Sequence, residues 1–347
     1  MKIPIQKGLV MMEKRNSVAV IVAGILALTL TACGSSAPSG DAAANSEGAK
    51  QEPFEISMIL KTNSAEFWQM IQAGAEAYEK EHPDLVKLSI KGPPAETYYD
   101  EQLNMLQTDL SIDAYDGYLI APLQSEAAAA QIANTDKPVI AFDTNIDSPK
   151  CLSFVGTGNK EAAKQGAIAA VEAAKEAGWE EIKCVEIAGV QGDATNTARM
   201  EGFREGINES GGQFLDDMVQ YAEAVADKAV NAMEAIMQQY PDGIAIVCAN
   251  NDDMAMAAAR TAKSNPAYDK TIFLGFDGQM SACEAVLSGD LTMTAAQNNY
   301  DIGYTAVETM VEVLQGKEVE KFIDTGTEII TKENAAARVE RMKGYMQ

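Results

Sequence analysis

From Phe54 onward, short apolar runs alternate with longer amphipathic stretches, and this alternation confines the chain to parallel strands joined by helices. Residues 54–60, 85–90, 117–121, 139–142 and 152–155 are predicted strands. The series continues at 182–188, 213–219, 244–249, 271–276 and 291–295. Asn63, followed three residues later by Glu66, predicts a capping box that opens a helix running through Glu81. So many strands would make one open sheet unusually wide, so the expected fold is α/β with two doubly wound parallel-sheet lobes. The first boundary is expected at Gly156-Thr157-Gly158, where two glycines loosen the chain between elements.

Ahead of this region, Lys14 and Arg15 precede an apolar run over residues 18–30, which ends in Leu30-Thr31-Ala32-Cys33-Gly34. The run falls short of the roughly 20 apolar residues a membrane-spanning helix needs, and its charged start and small-residue end are those of an export signal. The ending resembles the lipobox of bacterial lipoproteins. That resemblance implies a signal peptide over residues 1–32, cleavage before Cys33, and lipid on that cysteine as a membrane anchor. Residues 33–53 are too poor in large apolar groups to pack and read as a tether.

Several function classes are disfavoured by composition. The formal net charge is −24 and no Lys/Arg cluster stands out, so a nucleic-acid partner is not expected. Cys151, Cys184, Cys248 and Cys283 lack close paired spacing, and three lie in apolar runs. They are expected as buried free thiols, not as a zinc site or a disulfide framework. His82 is the single histidine and precedes a proline at a helix end, which leaves no easy Ser-His-Asp or Cys-His reading and no histidine-based metal site. The run Gly156-Thr157-Gly158-Asn159-Lys160-Glu161 lacks the third glycine of a dinucleotide fingerprint, and no Walker loop is present, so no cofactor is expected.

In open α/β sheets, ligands bind beyond the carboxyl ends of the strands. The residues there share one chemistry: Asp143 after 139–142, Asn250 and Asn251 after 246–249, Asp277 after 273–276, and Gln297 after 294–296. Carboxylates and amides suit a ligand rich in hydroxyls, because a carboxylate accepts from two neighbouring OH groups and an amide both donates and accepts. Each also has a plain structural reading, Asp277-Gly278 as a turn and Asn251 or Asp252 as a helix N-cap. Phe67 and Trp68, just after the first strand, offer flat apolar faces to a sugar ring, although one of two adjacent helical aromatics belongs in the core. Arg199 follows the strand at 182–188 and serves either as a donor fork to ligand oxygens or as an ion pair within its lobe.

At these residues the chain resembles the type I periplasmic binding proteins of the ribose-binding and lactose-repressor-core family. The likeness is carried by Asn250-Asn251-Asp252-Asp253-Met254-Ala255, Leu274-Gly275-Phe276-Asp277-Gly278, Arg199-Met200-Glu201-Gly202-Phe203 and the segment from Lys61 to Trp68. It implies that Phe67 and Trp68 flank the ligand and that Asp143, Arg199, Asn251, Asp277 and Gln297 hydrogen-bond it. It also implies three chain crossings between the lobes, near Thr157, Asn298 and Gly326. The expected lobes are then residues 54–156 with 298–326, and 157–297 with 327–347.

Ribose binders of the family carry arginines where Thr144 and Thr197 stand here and an aromatic near Ala224, so a different or roomier pocket is expected. The function implied is that of a lipid-anchored, extracytoplasmic, monomeric solute receptor. It would bind a sugar or polyol and dock on the membrane permease of an ABC importer. A sensory receptor would share the pocket, and a glycosidase using Asp143 and Asp277 as a carboxylate pair is the enzyme alternative.

Overall fold

The structure, a computed structural model, describes residues 52–345. The export signal, Cys33 and most of the expected tether lie outside the described residues. In chain order the first elements are β1 (Phe54–Ile59), α1 (Glu66–Glu81), β2 (Val86–Lys91), α2 (Tyr99–Ile112), β3 (Gly117–Ile120), α3 (Ser125–Ile132), β4 (Val139–Phe142) and β5 (Cys151–Gly156). There follow α4 (Asn159–Glu176), β6 (Lys183–Ala188), α5 (Ala194–Glu209), β7 (Gln213–Phe214), β8 (Gln220–Tyr221), α6 (Ala226–Gln239), β9 (Ile246–Ala249) and α7 (Asp252–Ala262). The remainder comprises β10 (Ile272–Asp277), α8 (Met280–Ser288), β11 (Met293–Gln297), α9 (Asn299–Leu314), β12 (Phe322–Asp324), β13 (Thr327–Ile330) and α10 (Ala335–Tyr345).

Two sheets result, as the α/β alternation requires. The first has the order β12-β5-β4-β3-β1-β2 and is parallel throughout. The second has the order β13-β11-β10-β9-β6-β7, with β8 also on β6, and only the β11–β13 pair is antiparallel. Both faces of each sheet are covered, which is why the strands read as continuous apolar runs. Along β4, Ile140 and Phe142 enter one core and Val139 and Ala141 the other. Along β9, Val247 and Ala249 face one core and Ile246 and Cys248 the opposite one. Each fully buried Phe or Ile side chain contributes about 1.5–3 kcal/mol.

The chain passes between the sheets three times: between β5 and α4, between β11 and α9, and between β12 and β13. After β11, helix α9 returns to pack on α1 against the first sheet. Two glycines permit that close approach. A Cβ on Gly303 would overlap the Ile71 carbonyl oxygen, and one on Gly74 would overlap that of Tyr300.

Two local expectations need correction. Residues 213–219 do not form one strand; β7 and β8 flank a 3₁₀ turn over Asp216–Met218, where adjacent aspartates suit a turn better than a pleated ladder. No capping box opens α1 either: the N-cap is Ala65 without a side-chain bond, Asn63 donates to the Gly92 carbonyl at 3.2 Å, and Glu66 is engaged elsewhere. Cys151, Cys184, Cys248 and Cys283 are buried and free, with the Cys184 and Cys248 sulfurs 3.5 Å apart on adjacent strands.

Candidate functional site

Strands from both sheets end around one small cavity of about 50 Å³. From the side of the first sheet, Lys61, Phe67, Trp68, Glu96 and Asp143 line it. From the second come Asp193, Thr195, Asn196, Arg199, Asn250 and Asn251, with Asp253, Asp277 and Gln279 completing that wall. Phe67, Trp68, Asp143, Arg199, Asn251 and Asp277, the residues singled out in sequence, are thus brought together. Gln297 is not a lining residue. It is the last residue of β11, fully buried, and its Nε2 donates to Asp277 Oδ1 at 2.8 Å.

The two aspartates that end β4 and β10 hold strained backbone. Asp143 has φ of 58° and Asp277 has φ of 118°, both in the region that favours glycine. Asp143 N–H donates to the Val155 carbonyl at 2.9 Å, and the Thr144 hydroxyl donates to Asp143 Oδ2 at 2.7 Å. The turn after Asp277 is braced from α10: Arg338 Nε donates to the Gly278 carbonyl at 2.8 Å and its NH2 to the Gln297 carbonyl at 2.5 Å. Arg338 is itself buried, so the last described helix positions a strand end far from it in sequence. Burial raises the Asp143 carboxyl above its ordinary value against the pull of Lys61 and Arg199. It raises Asp277 well above its own, with Arg199 opposing and Asp252 adding.

Lys61, just beyond β1, was not singled out as a site residue, yet it is the buried cation at the centre of the polar network. Its Nζ donates to Asp193 Oδ2 at 2.5 Å and lies 3.8 Å from Asp143 Oδ2. Burial pulls its pKa down, but Asp193, Asp143 and Glu96 outweigh that and leave it raised, so the ammonium is charged. Asp193 meanwhile caps α5 by accepting from Asn196 N–H at 2.8 Å. Arg199 donates to Asn159 Oδ1 at 2.8 Å and to the Asn250 carbonyl at 2.7 Å, lies 3.5 Å from Asp277 Oδ1, and sits 3.8 Å over the Phe276 ring. The ion pair within its lobe expected of Arg199 is thus present, and the residue also lines the cavity.

Asn251 is the N-cap of α7, accepting from Met254 N–H at 3.0 Å, and it lines the cavity as well. Trp68 packs edge-on to Phe67 with ring centroids 5.2 Å apart, and its indole N–H donates to Glu96 Oε1 at 2.9 Å. Beneath the floor lie two further acids: burial pushes Glu186 up to about 8 and Asp252 up to about 7. Thr197 points away from the cavity, its hydroxyl donating to the Asp193 carbonyl at 3.0 Å, while Ala224 lines it. Among the described residues no group of three or more acidic, cysteine or histidine side chains is placed to hold a metal ion.

Among the contacts that tie the strand ends of one sheet to those of the other, three stand out. The first is Lys61 with Asp193, and the second is Thr144 Oγ1 with Thr195 Oγ1 at 2.8 Å. In the third, Glu66 Oε1 accepts from the N–H groups of Met280 at 2.6 Å and Ser281 at 3.3 Å, so the first turn of α1 supplies the anionic cap of α8.

Residues 56–318 match the family model described as a periplasmic binding protein domain. The D-allose-binding periplasmic protein of Escherichia coli is 30% identical over 268 residues, covering 74% of this chain and 84% of that protein. The ribose import binding protein RbsB of the same organism is 29% identical over 282 residues, covering 80% of this chain and 90% of that one. Among solved structures, a carbohydrate transporter solute binding protein from Agrobacterium radiobacter in complex with D-arabinose superposes with a TM-score of 0.75 at 26% identity, covering 84% of this chain and 98% of its own.

Proposed function

The chain belongs to the periplasmic binding protein domain family, and from that premise we propose that it is an extracytoplasmic receptor for a monosaccharide or a related polyhydroxylated small molecule. The relatives are binding proteins for sugars, not enzymes. The observation that carries the reading is the convergence of Asp143, Arg199, Asn251 and Asp277 with Phe67 and Trp68 on one cavity between the two sheets. Carboxylates and an amide satisfy hydroxyls, and the rings cover a C–H face. A few charge-assisted bonds of about 1.5–3 kcal/mol each reach the roughly 8 kcal/mol of a micromolar complex.

The lobes of this reading are residues 54–156 with 298–326 and 157–297 with 327–347, hinged at the three crossings. Ligand shifts the open–closed equilibrium by binding the closed form better, and the closed form docks on the permease of an ABC importer, whose separate ATPase supplies the energy. A monomer suffices for this. A sensor that passes the closed form to a chemoreceptor or kinase would use the same cavity, and the genes beside this one would separate the two roles.

A thermal-shift screen over pentoses, hexoses and polyols tests the reading, because a ligand that binds only the folded state raises the melting midpoint. A clear shift from at least one, confirmed by calorimetry, is expected; no shift and no heat across the whole panel would overturn the proposal. The proposed anchor is lipid on Cys33, supported by the lipobox-like run Leu30-Thr31-Ala32-Cys33-Gly34. Cys33→Ser is expected to move the protein from the membrane pellet to the soluble fraction, and retention in the pellet would refute the anchor.

A further inference from the structure

The cavity is lined by more carboxylates than cations. Five carboxylates line it, Glu96, Asp143, Asp193, Asp253 and Asp277, against two cations, Lys61 and Arg199, a formal surplus of three negative charges. Both cations are committed within the protein, Lys61 to Asp193 and Asp143, and Arg199 to Asn159, the Asn250 carbonyl and Asp277. Several neutral donors are committed as well. The Trp68 indole N–H goes to Glu96, the Asn250 amide to Glu186 and the Asn196 carbonyl, and the Asn251 amide to the Ala224 carbonyl.

Gln279 Oε1 is buried in the lining with no hydrogen-bond partner, although its residue is only 1% exposed. Neither Glu96 nor Asp253 has a cation in ion-pair contact; Lys61 reaches Glu96, and Arg260 reaches Asp253, only through the field. An orphaned buried acceptor calls for a donor, and a surplus of buried anions calls for positive charge.

Resting on the receptor reading above, we propose that the ligand is an amine-bearing polyhydroxylated molecule, an amino sugar or amino polyol, held as its ammonium ion. An ammonium group carries three donors and no acceptor, so it meets both demands at once, whereas a hydroxyl meets only the first. Burial raises the carboxyls of Glu96, Asp143, Asp253 and Asp277 above their ordinary values, so closing on a neutral sugar forces these anions to stay uncompensated or to take up protons. A cationic ligand removes that conflict.

Calorimetry at pH 7 and fixed salt tests this with matched sets: D-glucosamine, D-galactosamine and D-mannosamine, their neutral parent hexoses, and their N-acetyl forms. At least one free amine is expected to bind tenfold or more tighter than its parent, with the advantage lost on N-acetylation. Glu96→Gln keeps an acceptor for the Trp68 indole and is expected to narrow the amine-to-parent ratio at least threefold, with the melting midpoint confirming that the variant is folded. Neutral sugars binding as tightly as the amines, or a ratio untouched by Glu96→Gln, would overturn the amine assignment and leave the receptor reading standing. No binding by any amine would also overturn it, and if neutral sugars and polyols fail as well, the receptor reading falls with it.

Discussion

Replacing Lys61 by methionine is expected to weaken ligand binding by roughly a hundredfold while both lobes stay folded. The Lys61 ammonium is 4% exposed and holds Asp193 at 2.5 Å and Asp143 at 3.8 Å. Without it, two buried carboxylates from opposite sheets face each other with no counter-charge in contact, a situation that costs about 3–5 kcal/mol. The chain can escape by opening the cleft and letting water reach both. The penalty therefore falls on the closed form and not on the lobes, and apparent affinity drops with the fraction of molecules still competent to close. Calorimetry with any ligand of the wild type measures the loss, and the melting midpoint without ligand should move far less. Adding Asp193→Asn should recover most of the affinity, because asparagine caps α5 as well as aspartate does and brings no charge. Unchanged affinity in the single variant, or a double variant no better than the single, would refute this account of Lys61.

Lys61 was within reach of the sequence. The rule that pointed to Asp143, Asn251 and Asp277, that the residue just past an apolar strand faces the ligand, applies equally to the lysine after β1. A lysine is not among the side chains that suit hydroxyls as acceptors, and at a strand end it reads as solvated until its partners are known. Those partners, Asp193 and Asp143, are 132 and 82 residues away in sequence, and nothing local signals that they meet. Glu66 shows the same limit from the other side. Its spacing from Asn63 fits a capping box, yet the carboxylate caps α8 on the second lobe. A local motif and a long-range contact compete for one side chain, and only the packing of the two sheets decides between them.

The fold class was far more legible than the site, because strand and helix periods are local and repeat along the chain. Strand ends came out within two residues for most of the series. The failure over residues 213–219 came where two aspartates interrupt an apolar run that length alone had suggested was continuous. Arg338 had no sequence signal at all. On an otherwise mixed helix it reads as a surface residue, whereas its guanidinium reaches three backbone carbonyls at the ends of β10 and β11 and fixes the turn that aims Asp277.

Asp277→Asn is expected to separate affinity from stability: binding should fall by about 1.5–3 kcal/mol, roughly ten- to a hundredfold, with the melting midpoint unchanged or higher. Asparagine tolerates the left-handed backbone at this position better than other uncharged residues of its size, so φ of 118° is not made worse. Its amide oxygen still accepts from Gln297 Nε2, and Arg199 keeps Asn159, the Asn250 carbonyl and the Phe276 ring when its ion partner becomes neutral. The folded protein therefore loses little. It also gains, because burial pushes the Asp277 carboxyl well above its ordinary value, which means that the anion is costly in the closed cavity and an amide removes that cost. A ligand feels the opposite change, since one charged acceptor able to take two donors becomes a neutral group with one. A residue whose role was only to hold the turn after β10 would lose stability on substitution, so a fall in melting midpoint with affinity either intact or falling only in step with it would remove Asp277 from the binding site.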